Sequence, residues 1–196
     1  MVVTARGDSW NPVHPAYTYR ACVTAGKCTP PQSSLATLFV SKVDGEFCNW
    51  EIKGREDHPI NCVDWSQANA FCAAAGKRLP TEAELELAAR GATMQTHPWG
   101  EEAPDSTRIN GCGDECANWF HQDRHWGWNS TYPGSDGYVT TAPVGSFPAG
   151  ASPFGALDMV GNVAEWTADW YGPYSAQPAR NPTGPTEGTG HAIRGG

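Results

Sequence analysis

The chain is short of charge, of basic residues and of long hydrophobic runs. Only 17% of its 196 residues are charged while 39% are hydrophobic, which excludes a disordered polyelectrolyte. Lys and Arg number 13 against 21 Asp and Glu, for a net charge of −8. An acidic chain lacks the basic footprint that neutralising phosphates requires, so nucleic-acid binding is disfavoured. The same balance gives no electrostatic reason to sit on an anionic membrane. No apolar run approaches the roughly 20 residues of a membrane span. The first 30 residues show no basic-then-apolar leader. The length suits about one domain, able to bury about 70% of its unfolded surface.

What the chain has in excess is Gly, Pro, Trp and Cys. The 22 glycines and 16 prolines far exceed average usage, so loops should dominate over long regular elements. The nine tryptophans are spread from Trp10 to Trp170. Large aromatics so distributed read as the holders of an irregular core. The competing reading is a surface of rings that binds sugar or peptide. Seven cysteines favour disulfides, and hence an oxidising, extracytoplasmic compartment. The spacings Cys22-x5-Cys28 and Cys112-x3-Cys116 lack the paired C-x2-C of a zinc ribbon. An odd count leaves at least one thiol unpaired within the chain. Cys112 with Cys116 suits a tight loop.

Regular elements are few. Residues 1–60 hold no long periodic segment, and Leu35–Val40 reads equally as strand or helical turn. A helix is predicted after Asp64, with Ala68, Phe71, Cys72 and Ala75 on one face. Asp64 and Gln67 form a capping box and Gly76 a left-handed stop. A second helix is predicted over Glu82–Arg90, capped by Thr81 and Glu84 and ended by Gly91, with Leu85, Ala88 and Ala89 as its buried stripe. Residues 91–155 carry few element signals beyond one short strand within Thr140–Phe147. So long a stretch without structure signals is expected to be functional or braced by a ligand. Met159–Trp170 mixes apolar and acidic residues without a clean period.

Four segments in order carry a resemblance. They are Arg78-Leu-Pro-Thr-Glu-Ala-Glu-Leu-Glu-Leu-Ala-Ala-Arg-Gly91, His97-Pro-Trp-Gly100, Thr141-Ala-Pro-Val-Gly-Ser-Phe-Pro148 and Phe154-Gly-Ala-Leu-Asp-Met-Val-Gly-Asn-Val-Ala-Glu-Trp-Thr167. Asp169-Trp-Tyr171, Asn181-Pro-Thr-Gly-Pro185 and Arg194-Gly-Gly196 continue the pattern. Together they resemble the formylglycine-generating enzymes, or sulfatase-modifying factors, over residues 58–196. Residues 1–57 are read as a divergent N-terminal part of the same domain. The resemblance implies an α+β, C-type-lectin-like fold with two short helices, short twisted strands and long loops. It implies a family reaction in which a sulfatase cysteine is oxidised to formylglycine with oxygen and copper(I), and a protein or peptide as partner.

The chain departs from the enzymes at the copper site. The family's copper-binding cysteine pair follows an Arg-Gly-Gly-Ser segment, and this sequence stops at Gly195-Gly196, so the core is expected to be incomplete there. None of the seven cysteines matches that pair. No catalytic residue is assigned, and the domain is expected to be inactive as it stands. Two alternatives remain: a non-catalytic C-type-lectin-like binding module, and a domain of an iron-dependent sulfoxide synthase relative. The six histidines are scattered, and His121 with His125 are the sole pair at helix spacing. By resemblance, Cys72 pairs with a family cysteine absent here. Cys22, Cys28, Cys48 and Cys62 then pair in any of three ways.

The resemblance also implies structural calcium, which takes six to eight hard oxygen ligands. One site maps to the side chains of Asp158 and Glu165 with the carbonyls of Gly161 and Val163. A second maps to the side chains of Asn118 and Asp136 with the carbonyls of Trp119 and Tyr138. Copper is expected only with the missing segment.

Overall fold

The computed structural model describes residues 48–50, 52–124 and 129–196. Leu35–Val40, Cys22, Cys28 and His125 lie outside them. In chain order the described elements are α1 (Trp65–Ala74), α2 (Glu82–Arg90), α3 (Asp114–Trp119), a wide helical turn (Phe120–Arg124), a 3-10 turn (Pro148–Gly150), β1 (Glu165–Trp170) and β2 (His191–Arg194). A loop-rich α+β architecture with short helices and a small sheet is what this amounts to. Among the described residues, no helix is long and apolar enough to cross a membrane.

The chain forms two compact units. Of the described residues, those up to Glu86 and Glu165–Arg194 make the first, and those within Leu87–Ala164 with Gly195–Gly196 the second. In the first, the Asp64 side chain accepts from the Gln67 amide and the Gln67 side chain accepts from the Asp64 amide. These bonds satisfy orphan donors at the start of α1. Ala68, Phe71 and Cys72 are buried with Val63 and Leu79, and Trp50, Ile60, Trp65, Trp166 and Ala168 pack against them. Ala75 is the exposed C-cap rather than a core residue, because Gly76 ends the helix one residue later with φ +70°. β1 and β2 are antiparallel, pairing Glu165 with Arg194, Trp166 with Ile193 and, after an irregularity, Trp170 with His191. Two indoles anchor β1 at 2.8 and 3.0 Å, Trp65 to the carbonyl of Thr167 and Trp166 to that of Val63.

α2 begins on the expected box: the Thr81 amide donates to Glu84, and the Glu84 amide to Thr81 Oγ1. Its expected buried stripe is not realised. None of its residues is buried, and Leu85, Ala88 and Ala89 are half-covered. In the second unit, Ile109, Cys116, Ala117, Phe120, Tyr132, Ala142 and Phe147 are buried. The strand expected in Thr140–Phe147 is absent; Pro143 and Gly145 bend it into a turn closed by Ser146 donating to the Pro143 carbonyl.

Disulfides join Cys48 to Cys62 and Cys112 to Cys116. Cys72 is a free, buried thiol. The six described tryptophans are all half-buried, and three of them, Trp50, Trp65 and Trp166, pack against the hydrophobic cluster.

Candidate functional site

The loop around the second expected ligand set lies wholly in the second unit. The Asp136 carboxylate accepts from the Tyr138 amide at 2.8 Å on one oxygen. The other oxygen takes the Tyr132 hydroxyl at 2.5 Å and the Gly111 amide at 3.1 Å. The first bond is an Asx turn, local geometry that a short carboxylate imposes on its own backbone. Asn118 is exposed on α3, whose last residue, Trp119, is half-buried.

Sequence reasoning missed two neighbours of Asp136. Glu115 Oε1 accepts from the Asp136 amide at 3.1 Å, while its Oε2 is buried without a hydrogen-bond partner. Tyr132 is the buried ring whose hydroxyl closes the group and stands 3.2 Å from the Ile109 carbonyl oxygen. Burial pushes the Asp136 carboxyl up, against the hydrogen bond from Tyr132. Burial, followed by the bond to Asp136, pushes the Tyr132 hydroxyl above its ordinary range. The signal that points to Glu115 is its place inside the Cys112–Cys116 ring.

Of the first expected set, Asp158, Gly161 and Val163 lie in the second unit and Glu165 opens β1 in the first. Asp158 sits at φ +54° and one carboxylate oxygen accepts from the Gly145 amide at 2.7 Å. Burial pushes its carboxyl up. Gly161 has φ +82° and donates to the Gly195 carbonyl at 2.9 Å. Its own carbonyl accepts from the Val163 amide at 2.8 Å. Next to it, Asn162 bonds both backbone polar groups of Ala142, accepting at 3.0 Å and donating at 3.2 Å. A side chain here does the work of a neighbouring strand.

Among the described residues, no group of three or more His, Cys, Asp or Glu side chains is placed to hold a metal. A cation would lean on carbonyl and amide oxygens, a donor set that calcium accepts. The local chemistry fits it. Two carboxylates meet at Glu115 and Asp136, and the desolvated Asp158 carboxylate accepts from the Gly145 amide. Copper does not fit the described residues. Soft Cu(I) selects thiolates, yet four of the five described cysteines are oxidised in disulfides. Burial pushes the fifth, the Cys72 thiol, up to about 11. His121 is exposed on the wide turn after α3.

In the first unit a polar group gathers at the start of α2. Arg194 and the Tyr174 hydroxyl both donate to the Glu82 carboxylate, and Arg194 donates to the Tyr174 oxygen at 2.6 Å. Asp169, 4% exposed, has one oxygen without a hydrogen-bond partner. Burial pushes its carboxyl up, opposed by the Glu82 amide and assisted by the Glu82 and Glu84 carboxylates.

Comparison with known proteins agrees with the resemblance read from the sequence. The mouse formylglycine-generating enzyme is 38% identical over 148 residues, covering 72% of this chain and 36% of the mouse protein. A bovine relative named inactive C-alpha-formylglycine-generating enzyme 2 is 38% identical over 125 residues, covering 61% and 36%. The solved structure of PvdO from Pseudomonas aeruginosa superposes with a TM-score of 0.52 at 30% identity, over 71% of this chain and 50% of that one. The chain thus spans about a third of the length of the curated relatives named here. Residues 11–196 match the Sulfatase-modifying factor enzyme 1-like domain, and the chain belongs to that family.

Proposed function

We propose that these residues form a formylglycine-generating-enzyme-like domain of C-type-lectin-like fold, braced by calcium, that does not itself oxidise cysteine. One observation carries the reading: the oxidation state and burial of the cysteines. Among the described residues, four are in disulfides and Cys72 is buried with its thiol held protonated well above neutrality. A thiolate pair able to hold copper(I), which supplies the oxygen chemistry in the family reaction, is not formed by them.

The calcium donors are the two sets drawn from the sequence: Asp158, Gly161 and Val163 with Glu165 two residues on, and Asn118, Trp119, Asp136 and Tyr138. A protein or peptide is the partner, and the disulfides favour an oxidising compartment. The test is incubation with Cu(I), oxygen and a Cys-x-Pro-x-Arg peptide, with the product read by mass spectrometry. The expected result is no peptide aldehyde above a control lacking protein. Aldehyde well above that control overturns the reading.

A second reading is a non-catalytic binding module. It is favoured by the relative whose name declares it inactive, at the same 38% identity as the mouse enzyme.

A further inference from the structure

We propose that the Cys112–Cys116 disulfide is a redox-sensitive clamp that holds the 131–138 loop onto α3. α3 is six residues long, below what sustains a helix in isolation. Its N-cap is Gly113, which offers no side-chain cap. The missing cap comes from the loop: the Asp114 amide donates to the Gly134 carbonyl at 2.9 Å. The loop is bound in return. The Gly134 amide donates to Asp114 Oδ2 at 2.8 Å, the Asp136 amide to Glu115 Oε1 at 3.1 Å and the Thr131 amide to the Cys112 carbonyl at 2.6 Å. Every one of these partners lies within the ring that the disulfide closes. The approach leaves no space, since a Cβ on Gly113 would stand 2.7 Å from the Gly134 carbonyl oxygen.

A crosslink over so short a loop restrains the unfolded chain less than a long one would, so its effect is local. It fixes the Cys112 carbonyl relative to the first turn of α3, and so fixes the spacing of the groups that the loop bonds. Cys112 is half-buried and Cys116 buried, so the attack is written at Cys112. Opening takes a dithiol reductant. Its thiolate attacks Cys112 Sγ, the S–S bond breaks and Cys116 leaves as a thiolate that takes up a proton. The reductant's second thiol then displaces Cys112 as a thiol, and the reductant departs as its own disulfide. The clamp does not depend on whether the loop also takes a cation.

The test is amide hydrogen exchange on the full chain, oxidised and after dithiothreitol, with the opened bond identified by alkylation and mass mapping. Opening Cys112–Cys116 should raise exchange at Thr131, Gly134 and Asp136 by about tenfold or more, while amides of α1 and the β1–β2 pair keep their rates. Cys112→Ala/Cys116→Ala should do the same, and Cys48→Ala/Cys62→Ala should leave those three amides unchanged. Gly113→Ala should loosen the same amides with the disulfide intact, so the proposal does not rest on the cysteine variants folding. It is overturned if the bond resists dithiothreitol in the folded chain, if it opens with the three amides unchanged, if exchange rises equally everywhere, or if Gly113→Ala leaves the loop as it was.

Discussion

The imidazole of His191 lies flat on the indole of Trp65, with ring centroids 3.8 Å apart and planes 3° from parallel. Trp170 covers the opposite face at 3.9 Å and 21°. Three elements of the first unit therefore meet at one ring: the first residue of α1, the last of β1 and the first of β2. Each stacked pair contributes about 0.5–1.5 kcal/mol beyond its buried area. His191→Ala should lower stability by roughly 2–3 kcal/mol, and His191→Phe should retain most of it, both read by thermal or denaturant unfolding. A wild-type midpoint for the alanine variant would show that the stack is incidental.

Calcium should raise the melting temperature relative to EDTA. At a hundred times Kd a ligand confined to the folded state adds about 2.7 kcal/mol, at roughly 2–4 °C per kcal/mol for a chain of this size. Glu165→Ala should remove most of the rise if the Asp158–Glu165 turn carries it, and Asp136→Ala if the second set does. Equal melting in calcium and EDTA would leave these residues as turn formers.

Glu84 gives a pH signature of known sign. The Arg78 guanidinium, bonded to it at 2.7 Å, holds its carboxyl at about 2 against burial that opposes the shift. A depressed carboxyl adds stability that is present above its ordinary range and lost as pH falls toward the folded value. Both side chains are largely exposed, at 65% and 48%, so screening limits the pair to about 0.3–1 kcal/mol. Glu84→Gln should be less stable than wild type by that amount near neutrality. The gap should close as pH approaches 2 and shrink in high salt.

Gly161 tolerates no side chain. A Cβ there would stand 2.3 Å from the Asn110 carbonyl oxygen, and its φ of +82° strains any other residue. Asn110 cannot simply retreat, because that same oxygen accepts from the Asn162 amide at 2.7 Å. Gly161→Ala should cost on the order of 2–4 kcal/mol, read as loss of protection in the second unit by hydrogen exchange. Wild-type protection in that variant would contradict the crowding.

Both long helices were legible because each announces itself locally, in Asp64 with Gln67 and in Thr81 with Glu84. β1 was not, for a physical reason. Its alternate buried residues are Glu165, Thr167 and Asp169, so the polar face points inward, while Trp166 and Ala168 on the other face pack on the hydrophobic cluster. A strand covered on both faces, with acids on one, shows no apolar alternation. α3 was missed because its cap comes from Gly134, some twenty residues further on, and no local pattern records that. The Cys112–Cys116 ring was legible from spacing. The carboxylate pair of Glu115 and Asp136 depends on a loop returning, which spacing does not show.

The indole bonds of Trp65 to Thr167 and of Trp166 to Val63 set an order of assembly during synthesis. Each joins residues more than a hundred positions apart, with separations of 102 and 103. On a ribosome adding about 5–20 residues per second, α1 emerges several seconds or more before the strand that completes its surroundings. The continuous segment Leu87–Ala164 can settle in that interval. Among the described residues, the apolar face of Ala68, Phe71 and Cys72 packs first with its near neighbours and receives Trp166 and Ala168 last, with the free Cys72 thiol in that cluster.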